Sequence, residues 1–385
     1  MIKKTKFSSY KINGMTQGCK YCVLGEKSVL FITGLCKKGC FYCPLPESRK
    51  NKDVVYINER KLSNHDAVNE AIEEIKLCSS KGVGITGGDP LLVLARTINF
   101  IKKLKQKFGK GFHIHIYLPT DNSNKSNLER LAKAGIDEIR FHPNFLNFSE
   151  EEKKKIDFAL QLKKRYHWKV GVEIPVIPKT ENQLINFTRQ ILDLDFFNLN
   201  ELEIGTLNTE LMLKRGFYSK KESNAIKGSN ETALKVLKGI GRTKLEVHYC
   251  TARTKDAFQY CTRLKRRMNN VRKPYDLITE DDDLLRGAIY SSIKPGFDYQ
   301  KKIDEIKGSR LKDYLKLLNS FMRFLAKEYD IPKNLIEIDE PRLRILTSVE
   351  IVDKLRGEIK KKGFYPALVT ELPAYDLPIL ELEWI

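Results

Sequence analysis

Residues 28–44, SVLFITGLCKKGCFYCP, join a short apolar run to three closely spaced cysteines. The run is rich in Val, Ile, Leu and Phe and predicts a buried β-strand over 28–34. Cys36, Cys40 and Cys43 follow it with the spacing C-x3-C-x2-C, within one tight loop. Three thiolates in one loop can converge on an iron–sulfur cluster, and a cubane with three protein ligands leaves one iron open. Zinc sites more often use four ligands in two C-x2-C halves, so the spacing favours the cluster.

Five further apolar runs alternate with helical patterns along the first half of the chain. The additional strands are predicted at 82–87, 112–120, 136–142, 169–177 and 200–205. Repeats of 3.6 residues predict helices near 66–79, 93–108, 126–134, 150–165 and 182–192. Strands that alternate with helices pair in parallel, and functional residues of such folds lie at the carboxyl ends of the strands. We therefore predict an α/β protein built on a partial (β/α)6 barrel.

The alternation stops after residue 205, and this sets the predicted domain boundaries. We expect a basic N-terminal segment with a metal-binding knuckle over 1–27, the partial barrel over 28–205, and a basic α+β substrate-binding domain over 206–385. There is no run of 18 uncharged apolar residues, which argues against a transmembrane helix. The basic first residues lack the apolar core of a secretory signal. We expect a cytoplasmic protein with no membrane partner.

The net charge of +20 is concentrated in two segments. Residues 1–50 contain ten Lys and Arg against two Asp and Glu, and residues 211–275 contain seventeen against four. A cationic stripe on a helix is the footprint of a surface that meets phosphates. The densest part, which we call the cationic stripe and predict to bind RNA, consists of Arg263, Lys265, Arg266, Arg267, Arg272 and Lys273. A solvated basic face in a lysine-rich proteome is the alternative.

A second motif, Thr86-Gly87-Gly88-Asp89-Pro90, follows the second predicted strand. This loop and the CxxxCxxC loop, with Tyr42 before its last cysteine, together resemble the radical S-adenosylmethionine (SAM) superfamily over about residues 28–205. The superfamily usually has Glu where this chain has Asp89. The stretches GCKYC, VLFITGLCKKGCFYCP and LEVHYCTARTKDAFQYCTRLKRRMNNVRKPYD are also similar to an archaeal family related to pyruvate-formate-lyase-activating enzyme.

The resemblance implies a [4Fe-4S] cluster on the three loop cysteines, with SAM chelated at its open iron. One electron from the cluster would cleave the sulfonium C–S bond and give methionine and a 5′-deoxyadenosyl radical, which removes a hydrogen atom from the substrate. The resemblance also implies that Gly87, Gly88 and Asp89 meet the SAM amino group and that Tyr42 meets the adenine. An electron donor is then a necessary partner.

Polar residues at other strand ends are further candidates for the SAM pocket. Thr120 and Asp121 close the third predicted strand, and Glu173 lies within the fifth. His142 and Arg140 lie on one face of the fourth strand because side chains alternate along a strand. A carboxylate inside a barrel needs a partner. We predict that Thr120, Asp121, His142 and Glu173 help to form the pocket at one rim of the barrel.

Four other cysteines predict a second metal site. Cys19 and Cys22 form a C-x2-C knuckle that supplies two ligands. Cys250 and Cys261 would supply the other two ligands of the site, with His248 as an alternative ligand. Such a site would hold either a structural zinc or a second iron–sulfur cluster. Unliganded cysteines are the third alternative.

The cluster motif and the charge together predict a radical SAM enzyme that modifies RNA, with tRNA as the expected substrate. Chemistry on a base requires that the base be single-stranded or flipped out. The first alternative is a protein-activating enzyme of the glycyl-radical type, which binds a protein partner and shows no salt-steep affinity for RNA. A small-molecule biosynthetic enzyme is the second alternative, and it leaves the charge without a role.

Overall fold

The computed structural model describes all 385 residues, which form two compact units, Met1–Arg263 and Leu264–Ile385. The division lies well beyond the boundary that we predicted after residue 205. The reason is a strand at Glu246–Cys250, which joins the sheet of the first unit. Residues 206–245, which precede this strand, therefore belong to the first unit as well.

The first unit is built on one large mixed sheet. Its strands are β1 (Lys3–Lys4), β2 (Tyr10–Ile12), β3 (Lys27–Phe31), β4 (Tyr56–Ile57), β5 (Arg60–Lys61), β6 (Gly82–Thr86), β7 (His113–Pro119), β8 (Glu138–His142), β9 (Lys169–Val176), β10 (Phe196–Glu201), β11 (Ser219–Lys220), β12 (Ser223–Ile226) and β13 (Glu246–Cys250). Strands β11 and β12 form a separate hairpin, and the others join in the order β1-β2-β13-β10-β9-β8-β7-β6-β3-β4-β5. The strands from β13 to β3 are parallel, as in a partial barrel.

Helices connect the parallel strands. They are α1 (Gln17–Val23), α2 (Val68–Leu77), α3 (Leu94–Phe108), α4 (Lys125–Ala134), α5 (Glu150–Tyr166), α6 (Glu181–Gln190), α7 (Thr209–Lys214) and α8 (Ser229–Ile240). Helix α5 begins where the sequence predicts, because the Ser149 side chain accepts a hydrogen bond from the Glu152 N–H. Helix α4 ends at Gly135, whose φ of 105° favours glycine.

The predicted α/β class and partial barrel are confirmed, with two differences in the strands. The sixth strand occupies Phe196–Glu201 instead of 200–205, because Phe196, Phe197 and Leu199 are the residues that fill the core. Strand β13 adds a seventh parallel strand beside β10. Its five residues, EVHYC, are too short and too polar to be recognised from their pattern.

The inner face of the barrel is polar, whereas the outer face of the strands packs on the helices with apolar side chains. Ile85, Ile116 and Ile139 are fully buried in the main core of the unit. Glu138 and Arg140, which are also buried, alternate with such residues and turn inward. A polar interior suits a barrel that holds a cofactor or a substrate.

The second unit is an α+β domain, as predicted. Its strands are β14 (Leu277–Ile278), β15 (Leu284–Tyr290), β16 (Ile336–Asp339), β17 (Arg344–Thr347), β18 (Tyr365–Glu371) and β19 (Ile379–Trp384), which form an antiparallel sheet in the order β16-β17-β15-β18-β19 with β14 beside β15. Helix α9 (Cys261–Val271) contains the division between the units, and α10 (Tyr299–Glu305), α11 (Gly308–Glu328) and α12 (Val349–Lys361) follow. None of the helices combines the length and apolar composition that a bilayer crossing requires.

The positive charge belongs to the first unit. Residues 264–385 contain 23 Lys and Arg against 21 Asp and Glu, and residues 1–263 contain 46 against 28. The second unit is therefore nearly neutral, because most of the basic residues of 211–275 precede the division.

Candidate active site

A cavity of about 330 Å³ lies at the carboxyl ends of the parallel strands, and we call it the SAM cavity. Both sequence motifs and two of the predicted strand-end residues reach it. The predicted site residues in its wall are Cys36, Cys40, Tyr42, Cys43, Gly87, Gly88, His142 and Glu173.

The three cysteines lie in the loop after β3, half-buried and without disulfide bonds. The Cys43 N–H donates to the Cys40 carbonyl oxygen, and the Lys38 N–H donates to the Cys36 sulfur at 3.4 Å. Partial burial raises the pKa of Cys36 and of Cys40. No three His, Cys, Asp or Glu side chains anywhere in the chain converge on a point that suits a single metal ion. Three thiolates from one loop suit an iron–sulfur cluster, whereas zinc sites usually have four protein ligands.

Gly87 and Gly88 pass so close to the end of β3 that no side chain fits at either position. A Cβ at Gly88 would lie 2.2 Å from the Leu35 carbonyl oxygen and 2.9 Å from Cys36 Cβ. A Cβ at Gly87, where φ is +154°, would lie 2.3 Å from the Thr33 carbonyl oxygen. The bare backbone of the two glycines therefore borders both the cysteine loop and the cavity.

We expect the substitution Gly88→Ala to displace the cysteine loop, because the new methyl group would overlap the Leu35 carbonyl oxygen. Overpacking of this kind costs about 1–3 kcal/mol of unfolding free energy. The iron bound at this loop should be lost, and iron analysis after anaerobic reconstitution would show this as a fall of up to about four atoms per chain. Gly39→Ala, in the same loop, is the matched control because its Cβ would meet nothing within 4 Å. Equal iron content in the two variants would contradict the close packing.

The carboxylate of Asp89 does not line the cavity, and its contact with the SAM amino group stays a prediction. One of its oxygens accepts from the Leu91 N–H at 2.9 Å, and the other accepts from Asn122 Nδ2 at 2.6 Å. The first bond caps the 3₁₀ turn Pro90–Val93, whose free N–H groups need an acceptor. Asp89 thus fixes the loop that presents the two glycines.

Thr120 and Asp121 also lie outside the cavity wall, contrary to the prediction. Thr120 is buried and donates to Glu152 Oε1 at 2.6 Å. Asp121 is half-exposed and forms an ion pair with Lys38 at 3.0 Å. Because Lys38 lies between Cys36 and Cys40, this pair ties the cysteine loop to the end of β7.

A hydrogen bond with His142 holds the Tyr42 side chain against the barrel. The His142 Nδ1 lies 3.0 Å from the Glu173 carbonyl oxygen, which can only accept, so Nδ1 carries the proton. Its Nε2 then accepts from the Tyr42 hydroxyl at 3.0 Å. Burial lowers the pKa of His142, in agreement with a neutral ring. The Tyr42 ring is held at the cavity wall, where the resemblance places the adenine.

Among the polar wall residues that the sequence analysis did not single out are Lys38, Lys50, Asn200 and Lys255. Lys38 and Lys50 flank the cluster cysteines, and this proximity could have selected them. Asn200 donates to Glu173 Oε1 at 2.8 Å, and Lys255 pairs with Glu203. No local pattern marks these two residues, because their place depends on β10 and on the π-helical turn after β13.

A second cavity, of about 230 Å³, lies inside the barrel, and we call it the inner cavity. It shares the wall residues Tyr117, Glu173, Asn200 and Lys255 with the SAM cavity, so the two adjoin. Three of the four cysteines of the predicted second site line it, together with the alternative ligand, and these residues are Cys19, Cys22, Cys250 and His248.

Cys261 does not belong to this group, and its assignment as a ligand is wrong. The side chain is exposed, and its sulfur lies 3.2 Å from the Asp256 carbonyl oxygen, one helical turn earlier. The helical path of the chain after β13 carries Cys261 away from the barrel interior.

Arg140 crosses the barrel interior between two carboxylates. It contacts Glu173 at 2.7 Å and Glu138 at 2.5 Å, and it donates to the Tyr117 hydroxyl at 3.0 Å. Burial alone would raise the pKa of Glu173, but the charge of Arg140 and hydrogen bonds from two asparagines lower it. The three groups form one buried ionic network.

Two members of the cationic stripe are buried, so the expected exposed stripe is wrong. Arg263 is 7% exposed and pairs with Glu59 at 2.6 Å. Arg267 is 5% exposed and donates to the carbonyl oxygens of Pro373 and Ala374. These partners are far away in the sequence, and the local charge pattern cannot show them.

The other members of the stripe differ in exposure. Lys265, Arg272 and Lys273 are exposed and Arg266 is half-buried. Lys265 pairs with Asp282 at 2.9 Å, and Lys273 pairs with Glu337 at 2.8 Å. Carboxylates therefore meet part of the charge that was predicted to meet phosphates.

We expect Arg263→Gln to lower the unfolding free energy by about 1–3 kcal/mol, because Glu59 loses its charged partner at a largely buried site. Arg272→Gln, at an exposed position, should change it by less than about 0.5 kcal/mol. Urea denaturation measures both variants. The opposite ranking would contradict a structural role for Arg263.

Comparison with known proteins agrees with the motifs. The sequence model of the Radical SAM superfamily matches residues 30–182. A protein of Methanocaldococcus jannaschii, provisionally named a glycyl-radical enzyme activating enzyme, is 49% identical over 289 residues, which cover 74% of this chain and 76% of that protein. This chain belongs to the radical SAM superfamily. As a radical SAM enzyme it uses SAM and a [4Fe-4S] cluster, and the thiol-lined SAM cavity fits both.

Two solved structures match this chain at low similarity. SuiB of Streptococcus suis bound to SAM is 14% identical, covers 59% of this chain and 50% of its own chain, and has a TM-score of 0.38. The radical SAM methyltransferase TsrM of Kitasatospora setae is 11% identical, covers 66% and 54%, and has a TM-score of 0.37. This chain thus spans only about half of the length of these proteins. Their likeness adds nothing to the assignment of a substrate.

Proposed function

We propose that this radical SAM enzyme activates a partner polypeptide by removing a hydrogen atom from a glycine residue of that partner. The main observation behind the proposal is the 49% identity over 289 residues with the archaeal protein that has this provisional name. With one electron from an external donor, the bound cluster and SAM would supply methionine and a 5′-deoxyadenosyl radical, and this radical would take the Cα hydrogen atom to give 5′-deoxyadenosine and a glycyl radical on the partner.

The chain's own residues would position these groups. In this proposal Cys36, Cys40 and Cys43 are the cluster ligands, because thiolates are the usual ligands of iron–sulfur clusters. The backbone of the Gly-Gly loop meets the amino group of SAM. The pair between Lys38 and Asp121 holds the cysteine loop over the strand ends, and the buried bond from His142 holds the Tyr42 ring.

The charges of the SAM cavity favour a polypeptide over RNA as the substrate. Its wall contains three lysines and three glutamates, namely Lys38, Lys50, Lys255, Glu173, Glu201 and Glu203. A balanced wall gives no net attraction for a phosphate backbone. The buried arginines of the cationic stripe point the same way, whereas the excess of basic residues in the first unit is the feature that favours RNA.

The test is a search for the product radical by electron paramagnetic resonance. Reduced enzyme and SAM are incubated anaerobically with the protein fraction of the source cells. We expect a persistent radical whose signal is a doublet, because one α-hydrogen remains on the glycyl carbon. Protein from cells fed α-deuterated glycine should give a collapsed doublet. The Cys40→Ala variant is the control and should give no signal.

Absence of a protein radical, combined with SAM cleavage that depends on added RNA, would overturn the proposal. It would also restore RNA as the substrate.

A further inference from the structure

We propose that Cys19, Cys22, Cys250 and His248 hold a second iron–sulfur cluster in the inner cavity. The sequence suggested a zinc ion or a cluster on a set that included Cys261, and the structure favours the alternative ligand His248 in place of Cys261. The proposal stands independently of the identity of the substrate.

The backbone brings the four side chains to one cavity by simple periodicity. Cys19 and Cys22 are three residues apart on α1 and therefore lie on one face of that helix. His248 and Cys250 are two residues apart on β13 and therefore point to the same side of the sheet. Helix α1 fits close against the barrel because Gly18 has no side chain, and a Cβ there would lie 2.5 Å from Arg140 Nη2.

The His248 ring has a nitrogen with no partner. Its Nε2 is buried, the residue is only 2% exposed, and no hydrogen bond reaches that atom. A buried polar atom without a partner lowers the stability of the fold. Asn198, also in the wall of the inner cavity, has an unpaired buried Oδ1 as well. Three thiols and unpaired polar atoms in one wall indicate that the inner cavity binds a ligand.

Nitrogen donors already point at the cysteine sulfurs. Cys19 Sγ lies 3.4 Å from Asn198 Nδ2 and 3.5 Å from Arg140 Nη2. Cys250 Sγ lies 3.4 Å from Gln259 Nε2. Such N–H···S contacts stabilise thiolates, and they tune the potentials of iron–sulfur clusters.

The size of the inner cavity favours a cluster over a zinc ion. A tetrahedral zinc with Zn–S bonds of about 2.3 Å draws its ligands close together and leaves little space between them. The inner cavity instead has a volume of about 230 Å³. With three thiolates and one imidazole, this cluster would have four protein ligands and no open iron.

The experiment uses the full chain without its first cluster. The variant Cys36→Ala/Cys40→Ala/Cys43→Ala is purified anaerobically and reconstituted with iron and sulfide. Iron, sulfide and zinc per chain and the visible absorption are then measured. We expect about two to four irons with matching sulfide, in place of none. Less than one iron per chain, or one zinc without sulfide, would overturn the proposal.

Variants in the same background identify the ligands. Adding Cys19→Ala with Cys22→Ala, or Cys250→Ala, should remove the remaining iron, whereas Cys261→Ala should leave it unchanged. His248→Cys tests the imidazole without emptying the site, so it remains informative if the cysteine variants fail to fold. We expect it to keep the iron and to change the paramagnetic resonance spectrum of the reduced cluster. An unchanged spectrum would exclude His248 as a ligand and would contradict the proposal.

Discussion

Cys40→Ala should lower the formation of 5′-deoxyadenosine from SAM by at least about a hundredfold. The Cys40 side chain belongs to the same cavity wall as Cys36 and Cys43. With only two thiolates the chain would no longer hold the cluster, or would no longer hold it with an open iron for SAM. The measurement is chromatography of the nucleoside products after anaerobic reduction with dithionite.

The matched control for this variant is Cys261→Ala. It removes an exposed thiol outside both cavities, and we expect unchanged SAM cleavage. Circular dichroism shows whether both variants are folded. Normal 5′-deoxyadenosine formation by folded Cys40→Ala protein would show that the cluster assignment is wrong.

Arg140→Leu should lower the unfolding free energy by about 3–5 kcal/mol. Glu138 is 0% exposed and Glu173 is 8% exposed, so both carboxylates would stay buried without their cation. Anaerobic urea denaturation at neutral pH measures the loss. Arg165→Leu is the matched control, because that side chain is exposed and its pair with Glu129 is long, at 3.6 Å.

The pH dependence gives this prediction a second readout. Arg140 helps to lower the pKa of Glu173, so in the normal protein this carboxylate contributes stability above its unfolded pKa and loses it as the pH falls. Without Arg140 the pKa of Glu173 should rise. Protonation of Glu173 would then remove part of the destabilisation that its buried, unpaired charge causes. The difference between the normal protein and Arg140→Leu should therefore be smaller at about pH 5 than at about pH 8. A constant difference would contradict the ionic role of Arg140.

Local patterns predicted the parts of the fold that depend on neighbouring residues. The apolar runs and motifs indicated the positions of strands β3, β6, β7, β8 and β9 and of the cysteine and Gly-Gly loops. Strand β13 and the division at Arg263 were missed, because pairing with β10 decides the place of a five-residue polar strand.

The candidate site shows the same limit. His142 and Glu173 were found because strand alternation points them inward. Asp89 and Thr120 were assigned to the cofactor, but hydrogen bonds to Asn122 and Glu152 use their side chains. Likewise Arg263 looked like a surface charge because Glu59, its partner, lies 204 residues away in the sequence.

The source of the hydrogen atom that enters 5′-deoxyadenosine distinguishes a polypeptide substrate from an RNA substrate. Protein and RNA are isolated from source cells grown in deuterated medium, and each fraction is incubated anaerobically with the enzyme, unlabelled SAM and a reductant. We predict that the protein fraction alone transfers deuterium to 5′-deoxyadenosine, as detected by mass spectrometry. Deuterium that arrives from RNA and not from protein would contradict a polypeptide substrate.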